Sequence, residues 1–229
     1  MKISKQSVEY VDHMGSDLST VNAARVSFAK QSEWELKEDP EDGCAYDKVL
    51  SDKDAKLISY LAKHGHWSPF AHNSISLRIK APIFVARQMV KHQVGLVWNE
   101  VSRRYVDDEP EFYFPEVWRG RPEGSVKQGS DAEKSILLMG YSCPSKVVEL
   151  ALMAYESMLE QGVAPEQARM VLPQNTMTEW IWTGSLMAFA RVCKQRLDAH
   201  AQQETQEVAK KISNIVEPLF PVSWKALME

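Results

Sequence analysis

One stretch of the chain, residues 82–105, concentrates side chains that could bind an anion. Between Arg87 and Tyr105 it carries four cations, a histidine, side-chain amides, a carboxylate and a serine. A solvated helix rarely carries so many kinds of hydrogen-bonding group next to an apolar run. Cations surrounded by further donors favour phosphate or carboxylate ligands. We therefore expect this stretch to line a concave, anion-binding site.

The residues that precede this stretch predict the element that positions it. Side chains in residues 73–80 alternate strictly between polar and apolar, which indicates a half-buried antiparallel strand. Pro82 follows closely, and proline suits the first turn of a helix because its missing N–H would have no partner there. Gly95 interrupts the helical pattern further on. The spacing therefore predicts a strand-to-helix junction that holds the candidate site beside a sheet.

The remaining elements are predicted from apolar spacing and from helix start and stop signals. Strands are expected at residues 8–11, 111–114 and 176–182. Helices are expected from Asp17 or Ser19, from Ser51 or Asp52, over 131–161 with a break near Pro144, from Pro165, and from Ser185. An acidic surface loop is expected at about 32–50 and a flexible loop at about 115–130.

Composition excludes several classes of protein. The chain has 229 residues, of which 44% are hydrophobic, so it can bury a sizeable core in one domain or two small ones. The formal net charge of −4 gives no global basic field that would favour nucleic acid. No 18-residue apolar run predicts a membrane span, and the polar first ten residues do not resemble a signal peptide.

The three cysteines lie far apart and without CxxC spacing, which fits a reducing compartment. We therefore expect a cytoplasmic protein, in the host cytoplasm if the source is viral. The sequence predicts neither a nucleic-acid partner nor a membrane partner.

Three histidines, at positions 64, 66 and 72, raise the alternative of a metal site. No cysteine or carboxylate lies nearby at ligand spacing, so we interpret these histidines as a hydrogen-bonding loop and expect no metal. The sequence also contains neither GxGxxG nor GxxxxGK[ST]. It therefore indicates neither a Rossmann site nor a P-loop.

Residues 99–105, NEVSRRY, resemble the signature of the flavin-dependent thymidylate synthases. In that family an Arg-His-Arg triplet precedes the serine by seven residues. Here the triplet reads Lys91-His92-Gln93, and eight residues separate it from Ser102. Further strings are similar to the family's in the same order, at residues 25–28, 63–72, 168–173 and 196–204. The resemblance extends from Val8 to about Trp224.

The resemblance implies an α+β fold with an antiparallel sheet flanked by long helices, as a single catalytic domain over residues 1–229. It implies an enzyme of dTMP biosynthesis that methylates dUMP reductively. The implied carbon donor is 5,10-methylenetetrahydrofolate, and the implied reductant is NADPH acting through FAD. A homotetramer is also implied, with active sites at subunit interfaces.

The resemblance further implies roles for individual residues. For dUMP binding these are Arg87, Gln88, Glu100, Ser102, Arg103, Arg104, Arg169 and Arg196. For FAD binding they are Ser27, Ser68, Lys91, His92, Gln93, Glu100, Ser185, Arg191 and His200, with His66 and Tyr105 in the nicotinamide or folate region. Arg196 is also implied as the catalytic residue, which stabilises negative charge on the uracil ring. Glu100 is expected to orient one of the arginines.

The surroundings of the cysteines distinguish two chemical routes to methylation at C5 of uracil. One route adds a thiolate to C6 and requires a cysteine activated by nearby cations. Cys44 lies in the acidic loop, Cys143 precedes a proline, and Cys193 lies in an apolar helical stretch, so none has an evident base. The sequence therefore favours reduced flavin as the source of reducing power over thiolate catalysis.

Three alternatives stay open. Arg196 could form a surface ion pair with Glu204, because helical spacing would put both on one broad face with His200. The altered triplet favours a nucleotide-binding regulator that has lost catalysis. The third alternative is an enzyme for another pyrimidine deoxynucleotide, although the retention of Arg196 favours uracil.

Overall fold

A four-stranded antiparallel sheet lies at the centre of the computed structural model, which describes residues 1–38, 46–123 and 129–229. In spatial order its strands are β2 (Ser7–Met14), β5 (Ser74–Pro82), β10 (Met177–Ser185) and β6 (Leu96–Glu100). β5 pairs with β10 over the whole length of both strands. The fold is α+β with an antiparallel sheet, so the predicted fold class is confirmed.

Shorter strands in the described ranges form two-stranded sheets: β1 (Lys2–Ile3) with β7 (Glu111–Phe112), β3 (Glu35–Glu38) with β4 (Tyr46–Val49), and β8 (Arg119–Gly120) with β9 (Asp131–Ser135). The helices are α1 (Asp17–Arg25), α2 (Asp52–Lys63), α3 (Ser68–Ala71), α4 (Ile83–Met89), α5 (Pro144–Glu160), α6 (Pro165–Ala168), α7 (Leu186–Arg196), α8 (Gln203–Leu219) and α9 (Pro221–Met228). Within the described residues, none of the helices is long and apolar enough to cross a membrane.

The sheet is covered by helices because its strands carry apolar side chains at alternate positions. In β5, the side chains of Ile75, Leu77 and Ile79 are fully buried, whereas the polar ones between them are partly or fully exposed. Trp180 of β10 is also buried, and Trp98 of β6 stacks on it with ring centroids 4.2 Å apart. Helices α7, α8 and α9 add buried side chains to the same core cluster.

One helix start follows the sequence signals as predicted, and two differ. α2 begins after Ser51, whose hydroxyl caps it, as predicted, and α4 begins at Ile83, with Pro82 as its N-cap and not in its first turn. α1 is capped by Ser16, and the prediction of Asp17 or Ser19 as its cap is wrong. The hydroxyl of Ser16 accepts from the N–H of Ser19, while the hydroxyl of Ser19 accepts from the N–H of Ser16.

The predicted helix over 131–161 is wrong before Pro144. Asp131–Ser135 forms β9, whose pairing with β8 overrides the helical spacing, and α5 begins only at Pro144. Gly140 has a φ of 63°, which residues with a side chain rarely adopt. Pro144 restricts the residue before it to extended conformations. These two residues together end any helix that would approach from residue 131.

The acidic stretch 32–50 is only partly a loop. β3 and β4 lie within it and pair in antiparallel register, with Glu35 opposite Val49. Residues 39–45 of this stretch lie outside the described residues. The stretch 115–130 contains β8, and its residues 124–128 also lie outside the described residues.

Candidate active site

Most of the predicted site residues fall into three groups, each held by different elements. The Arg196 cluster comprises Gln88, His92, Ser185, Arg191 and Arg196. The Arg169 cleft comprises Glu100, Arg103 and Arg169. The Ser68 cavity comprises Ser27, His66 and Ser68.

The Arg196 cluster joins the end of α7 to the residues that follow α4. Arg196 is the last residue of α7 and is half-buried. Its Nε donates a hydrogen bond to Nε2 of His92 at 2.9 Å, and its Nη2 donates to the backbone carbonyl of Gln88 at 3.3 Å. The His92 N–H in turn donates to the carbonyl of Met89 at 3.0 Å, which fixes the backbone after α4. The guanidinium of Arg196 is therefore held at two points.

His92 is neutral beside the positively charged Arg196, because its pKa is lowered. Burial lowers the pKa of His92, and the nearby guanidinium groups of Arg196 and Arg191 lower it further. Burial also lowers the pKa of Arg196, but a guanidinium stays charged in proteins. Because Arg196 can only donate, Nε2 of His92 is the acceptor and Nδ1 carries the ring proton. The pair is a cation held by a neutral imidazole.

Gly95 allows the turn after α4 to pack against the start of α7. Its φ is 77°, and a Cβ at this position would lie 3.2 Å from Cβ of Ala188 and 3.3 Å from Oγ of Ser185. The Ser185 N–H donates to the Gly95 carbonyl at 3.1 Å, and Nη2 of Arg191 donates to the Val94 carbonyl at 2.6 Å. The turn is thus held by backbone carbonyls, and a side chain at residue 95 would disrupt it.

Several residues predicted near this cluster lie outside it. Lys91 and Gln93 are exposed, while His200 is exposed and its Nδ1 lies 3.0 Å from Oδ1 of Asp198. Helix α7 ends at Arg196 and α8 begins at Gln203, so the expected helical face through Arg196, His200 and Glu204 is wrong. The side chain of Glu204 is buried and pairs with Arg119. The alternative of a surface ion pair between Arg196 and Glu204 is therefore wrong.

The Arg169 cleft is a cavity of about 430 Å³ at the other end of β6. Arg169, in the 3-10 turn after α6, is exposed, and its Nε donates to the Glu166 carbonyl at 3.2 Å. Arg103 donates through Nη1 to the Asp108 carbonyl at 2.9 Å. Three cations, Lys80, Arg103 and Arg169, therefore line one cavity although they are far apart in sequence, and five carboxylates share the lining: Glu100, Asp108, Glu109, Glu111 and Glu179.

Glu100 does not orient an arginine in the described structure. Its Oε1 accepts from the Thr178 hydroxyl at 2.6 Å, and its Oε2 accepts from Nε1 of Trp98 at 3.1 Å. The expectation that it orients an arginine is therefore wrong for the contacts within this chain. The carboxylate instead joins β6 to β10.

Ser102, Arg104 and Tyr105 extend the Arg169 cleft along the surface. Nε of Arg104 donates to the Ser102 hydroxyl at 3.1 Å, and the guanidinium lies 5.0 Å from the ring centroid of Tyr105. The Tyr105 side chain is 78% exposed, and Arg87 on α4 is exposed too. These groups present charge and an aromatic ring to the surroundings.

The Ser68 cavity, of about 830 Å³, brings together Ser27, His66 and Ser68 from two separate parts of the chain. Arg25 also lines it, and its guanidinium is held by the buried carboxylate of Asp54. Burial alone would raise the pKa of Asp54, but the hydrogen bonds that it accepts from Arg25 and from two serines lower it. The wall of this cavity is therefore fixed by a buried ion pair.

Three aromatic residues of the Ser68 cavity, Phe28, Tyr60 and Trp67, were missing from the predicted site. Tyr60 and Trp67 line it and are 54% and 62% exposed, so their rings offer flat apolar surfaces. Trp67 lies within the string 63–72 that resembles the family, so the sequence carried a signal for it. Tyr60 and Arg25 become part of the cavity only when α1 and α2 come together.

The strand β6 separates two of the three groups. Leu96 lies opposite Gly184 at one end of the strand, and Glu100 lies opposite Trp180 at the other. Four steps along an antiparallel strand cover about 14 Å. The turn at Gly95 and the Arg169 cleft thus lie at opposite ends of β6, and the lining of the Ser68 cavity shares no residue with the Arg169 cleft.

The cysteines of the described chain do not lie beside the cations of these groups. Cys193 is fully buried, its thiol donates to the Ala209 carbonyl at 3.6 Å, and burial raises its pKa to about 12. Cys143 is half-buried, and a hydrogen bond from Ser145 lowers its pKa, but it precedes α5, whose buried side chains belong to a separate core cluster. Cys44 lies outside the described residues.

No group of three or more His, Cys, Asp or Glu side chains suited to a metal ion occurs in the described part of the chain. His64 and His66 lie near one another, with ring centroids 6.4 Å apart. Tyr60 packs against both of these rings.

Comparison with known proteins gives one family. Residues 9–222 match the family model described as "Thymidylate synthase complementing protein". A flavin-dependent thymidylate synthase from Kosmotoga olearia is 36% identical over 228 residues, which is 99% of this chain and 91% of that protein. The enzyme of the same name from Thermus thermophilus is 38% identical over 231 residues, covering 99% of this chain and 77% of that protein.

Solved structures agree with the sequence comparison. The UMP/dUMP methylase PolB from Streptomyces cacaoi, bound with 5-Br dUMP, has a TM-score of 0.78 and 29% identity, covering 99% of this chain and 96% of that one. The same methylase bound with 5-Br UMP has a TM-score of 0.79 and 28% identity, covering 100% and 96%. The likeness therefore includes sequence as well as fold.

The lowered pKa of His92 predicts how stability depends on pH. The unfolded chain takes up this proton near pH 6.5, whereas the folded protein takes it up only at lower pH. The free energy of unfolding should therefore fall as the pH drops below about 6.5, until the pH reaches the folded-state pKa. His92→Asn should remove this part of the pH dependence in urea unfolding measured between pH 5 and 8.

His64→Asn, at an exposed position, is the matched control and should keep the wild-type pH dependence. If the His92 variant shows the same dependence as the wild type, the imidazole is not kept neutral by burial and by Arg196.

Proposed function

The chain belongs to the thymidylate synthase complementing protein family, and from that premise we propose that it is a flavin-dependent thymidylate synthase. In this proposal it methylates dUMP to dTMP in de novo dTMP biosynthesis. The carbon donor is 5,10-methylenetetrahydrofolate, and NADPH is the reductant through FAD. The observation that carries the proposal is the half-buried, doubly held Arg196 beside a neutral His92.

The candidate site is suited to a pyrimidine nucleotide with a phosphate. Arg169 and Arg103 line one cavity, and Arg104 and Ser102 adjoin it, so that end supplies donors for a phosphate beside the five carboxylates of the same lining, one of which is paired with Lys80. The similar methylase that was solved with 5-Br dUMP supports a nucleotide of this kind. We assign Arg169, Arg103, Arg104 and Ser102 to the phosphate and sugar.

Arg196 is assigned to the uracil ring. A cation at the N3/O2 edge stabilises the negative charge that develops when C5 becomes nucleophilic. Half-burial strengthens this effect, because water screens the guanidinium less there. The hydrogen bonds to His92 and to the Gln88 carbonyl fix the guanidinium before the substrate binds, which lowers the cost of orienting it during the reaction.

The Ser68 cavity fits FAD. Its volume of about 830 Å³ lies in the range of small-molecule sites, which is roughly 300–1,000 Å³. Exposed rings of Tyr60 and Trp67 offer surfaces for aromatic groups, and Lys30 and Lys53 on its lining offer charge for a pyrophosphate. When bound, FAD supplies the redox chemistry, and the buried Cys193, whose pKa is raised to about 12, does not supply the thiolate that the other route requires.

Residues from two groups would hold the cofactor and its co-substrates. Ser27 and Ser68 supply hydroxyls in the cavity, with His66 beside them for the nicotinamide or folate. Lys91 and His92 come from the Arg196 cluster and its surface. Lys91 supplies a point charge and not the two-pronged contact of an arginine.

We further propose that each active site is built from several chains of a homotetramer, with residues 1–229 forming one catalytic domain in each. The three groups are separated within one chain, and the described residues include no self-contained Rossmann or P-loop site. Apposition of chains would bring the phosphate donors of one chain to Arg196 of another. The free thiols of Cys143 and Cys193 support action in the reducing cytoplasm.

UMP is a second candidate substrate. The similar PolB methylase was solved with both 5-Br UMP and 5-Br dUMP, and it is named a methylase of both nucleotides. The two substrates differ only by the ribose 2′-hydroxyl. Both nucleotides are therefore tested as substrates.

The proposed function predicts tritium release from [5-³H]dUMP that requires NADPH and methylenetetrahydrofolate together. The purified protein should bind FAD, seen as blue absorbance that persists through gel filtration. [5-³H]UMP should release tritium more slowly. Binding of dUMP without turnover, even after reconstitution with FAD, would favour the catalytically inactive regulator.

The two arginine assignments predict different kinetic defects. Arg196→Ala should lower kcat for dTMP formation by about 10²–10³, because a preorganised charge-stabilising group is lost. NADPH oxidation by the flavin should be much less affected. Arg169→Ala should mainly raise KM for dUMP, because a phosphate contact acts alike in the ground and transition states.

Steady-state assays at limiting and saturating dUMP separate these outcomes. Arg196→Lys should restore little activity, since lysine has no planar fork. A change in KM alone for Arg196→Ala would mean that this residue binds substrate without taking part in catalysis.

The shared-site proposal predicts that inactive chains complement each other. Arg169→Ala and Arg196→Ala chains, carrying different tags and co-expressed, should form mixed tetramers in which about one quarter of two-chain sites keep both arginines. At limiting dUMP, the mixed preparation should be far more active than either variant alone. Activity equal to the mean of the two variants would place both arginines of a site in the same chain.

A further inference from the structure

The side chain of Gln88 is engaged by the first turn of α8. Its Nε2 donates to Oε1 of Gln202 at 2.5 Å, and its Oε1 accepts from the Thr205 hydroxyl at 3.3 Å. Gln202 is the N-cap of α8, and Thr205 is fully buried. The resemblance assigned Gln88 only to substrate binding, yet both ends of its amide are already paired within the chain.

The backbone of Gln88 engages the end of α7 at the same time. Its carbonyl accepts from Nη2 of Arg196 at 3.3 Å. Residues 197–202 connect α7 to α8, so Gln88 bonds to the residue before this connection and to the last residue within it. Gln88 itself is held by α4, whose Val85 and Met89 are completely buried. A residue on a rigid helix thereby fixes both ends of a short connection.

We propose that Gln202 and Thr205 are positioning residues for the methylation reaction, acting through Gln88 to hold the guanidinium of Arg196 in place. Without them the Gln88 amide loses its partners, and the side-chain hydrogen bonds that tie the start of α8 to α4 are lost. Residues 198–200 of this connection are exposed, and its other holds are Leu197, which packs on the core, and the Ala201 carbonyl, which accepts from Nε2 of Gln206 at 2.7 Å. The proposal rests on the proposed function, because it concerns the residue assigned to the uracil ring.

The position of Arg196 has a signature that does not depend on turnover. Its charge lowers the pKa of His92, with which it shares a hydrogen bond. Moving the guanidinium away would weaken this effect, and the pKa of His92 would rise toward its ordinary value. A substitution that only loosens α8 elsewhere would leave His92 unchanged.

The test uses matched substitutions in the full-length protein with bound FAD. Gln202→Ala removes the acceptor, and Gln203→Ala makes the same change at the exposed neighbouring glutamine. Thr205→Val removes the hydroxyl with little change in shape, and Thr205→Ser keeps it. Circular dichroism confirms that each variant is folded.

Two quantities are measured for each variant. One is kcat and KM for dUMP in dTMP formation. The other is the pH titration of the His92 ring by NMR of ¹³C-histidine-labelled protein, with the signal identified from His92→Asn.

We expect Gln202→Ala to lower kcat by up to about 100-fold, the scale of a 1 Å misplacement. Thr205→Val should lower kcat less, and both should raise the titration midpoint of His92. Gln203→Ala and Thr205→Ser should match the wild type in both measurements.

Three outcomes would overturn the proposal. One is equal behaviour of Gln202→Ala and Gln203→Ala. A second is a rise in KM alone with an unchanged His92 midpoint, which would make Gln88 a direct substrate contact. The third is a loss of kcat with an unchanged midpoint. If the wild type shows no turnover, the proposed function fails, and the His92 midpoint alone still decides whether Gln202 positions Arg196.

Discussion

The pairing of β10 along both of its edges is the constraint on which the candidate site depends. β5 pairs with one edge and β6 with the other, so one strand sets the register of both. β5 leads through Pro82 into α4, and β10 leads through Ser185 into α7. A slip of one residue would exchange the buried and exposed faces of a strand and would move His92 away from Arg196. The register is protected because Trp180 and Trp182 must stay buried.

Electrostatics explains why a protein with a net charge of −4 can offer an anion site. The charge that matters is local: the Arg196 cluster contains two arginines and no carboxylate, whereas the Arg169 cleft combines three cations with five carboxylates. Partial burial of Arg196 carries a desolvation cost, which the imidazole of His92 and the carbonyl of Gln88 offset by accepting its hydrogen bonds. Protonation of His92 would remove one of these acceptors and add a like charge. The site therefore requires a histidine that stays neutral.

The elements that were predicted correctly are those whose signals lie within the element itself. β5 follows from strict alternation and is found where predicted, and α4 begins one residue after the proline that predicts it. β6 was not predicted, because LVWNE is a strand only through pairing with β10. The end of α7 at Arg196 was missed because no glycine or proline marks it. The grouping of Arg103 with Arg169 depends on tertiary packing, and no spacing along the chain could have indicated it.

The altered triplet and the additional residue before Ser102 can be understood from the turn that joins α4 to β6. This turn is held by backbone groups: the Leu96 N–H donates to the Gln93 carbonyl at 3.2 Å, and Gly95 supplies the left-handed conformation. An additional residue costs least in such a turn, because within β6 it would shift the register against β10. The side chains of Lys91 and Gln93 are exposed and do not build the turn, so exchanging arginine for either leaves the fold intact. His92 alone faces Arg196, and it is the member of the triplet that is kept. The replacements therefore change the groups that residues 91 and 93 present to a ligand. Lysine offers a point charge and glutamine an amide, where the family has two guanidinium groups. The way in which Arg196 is held does not change.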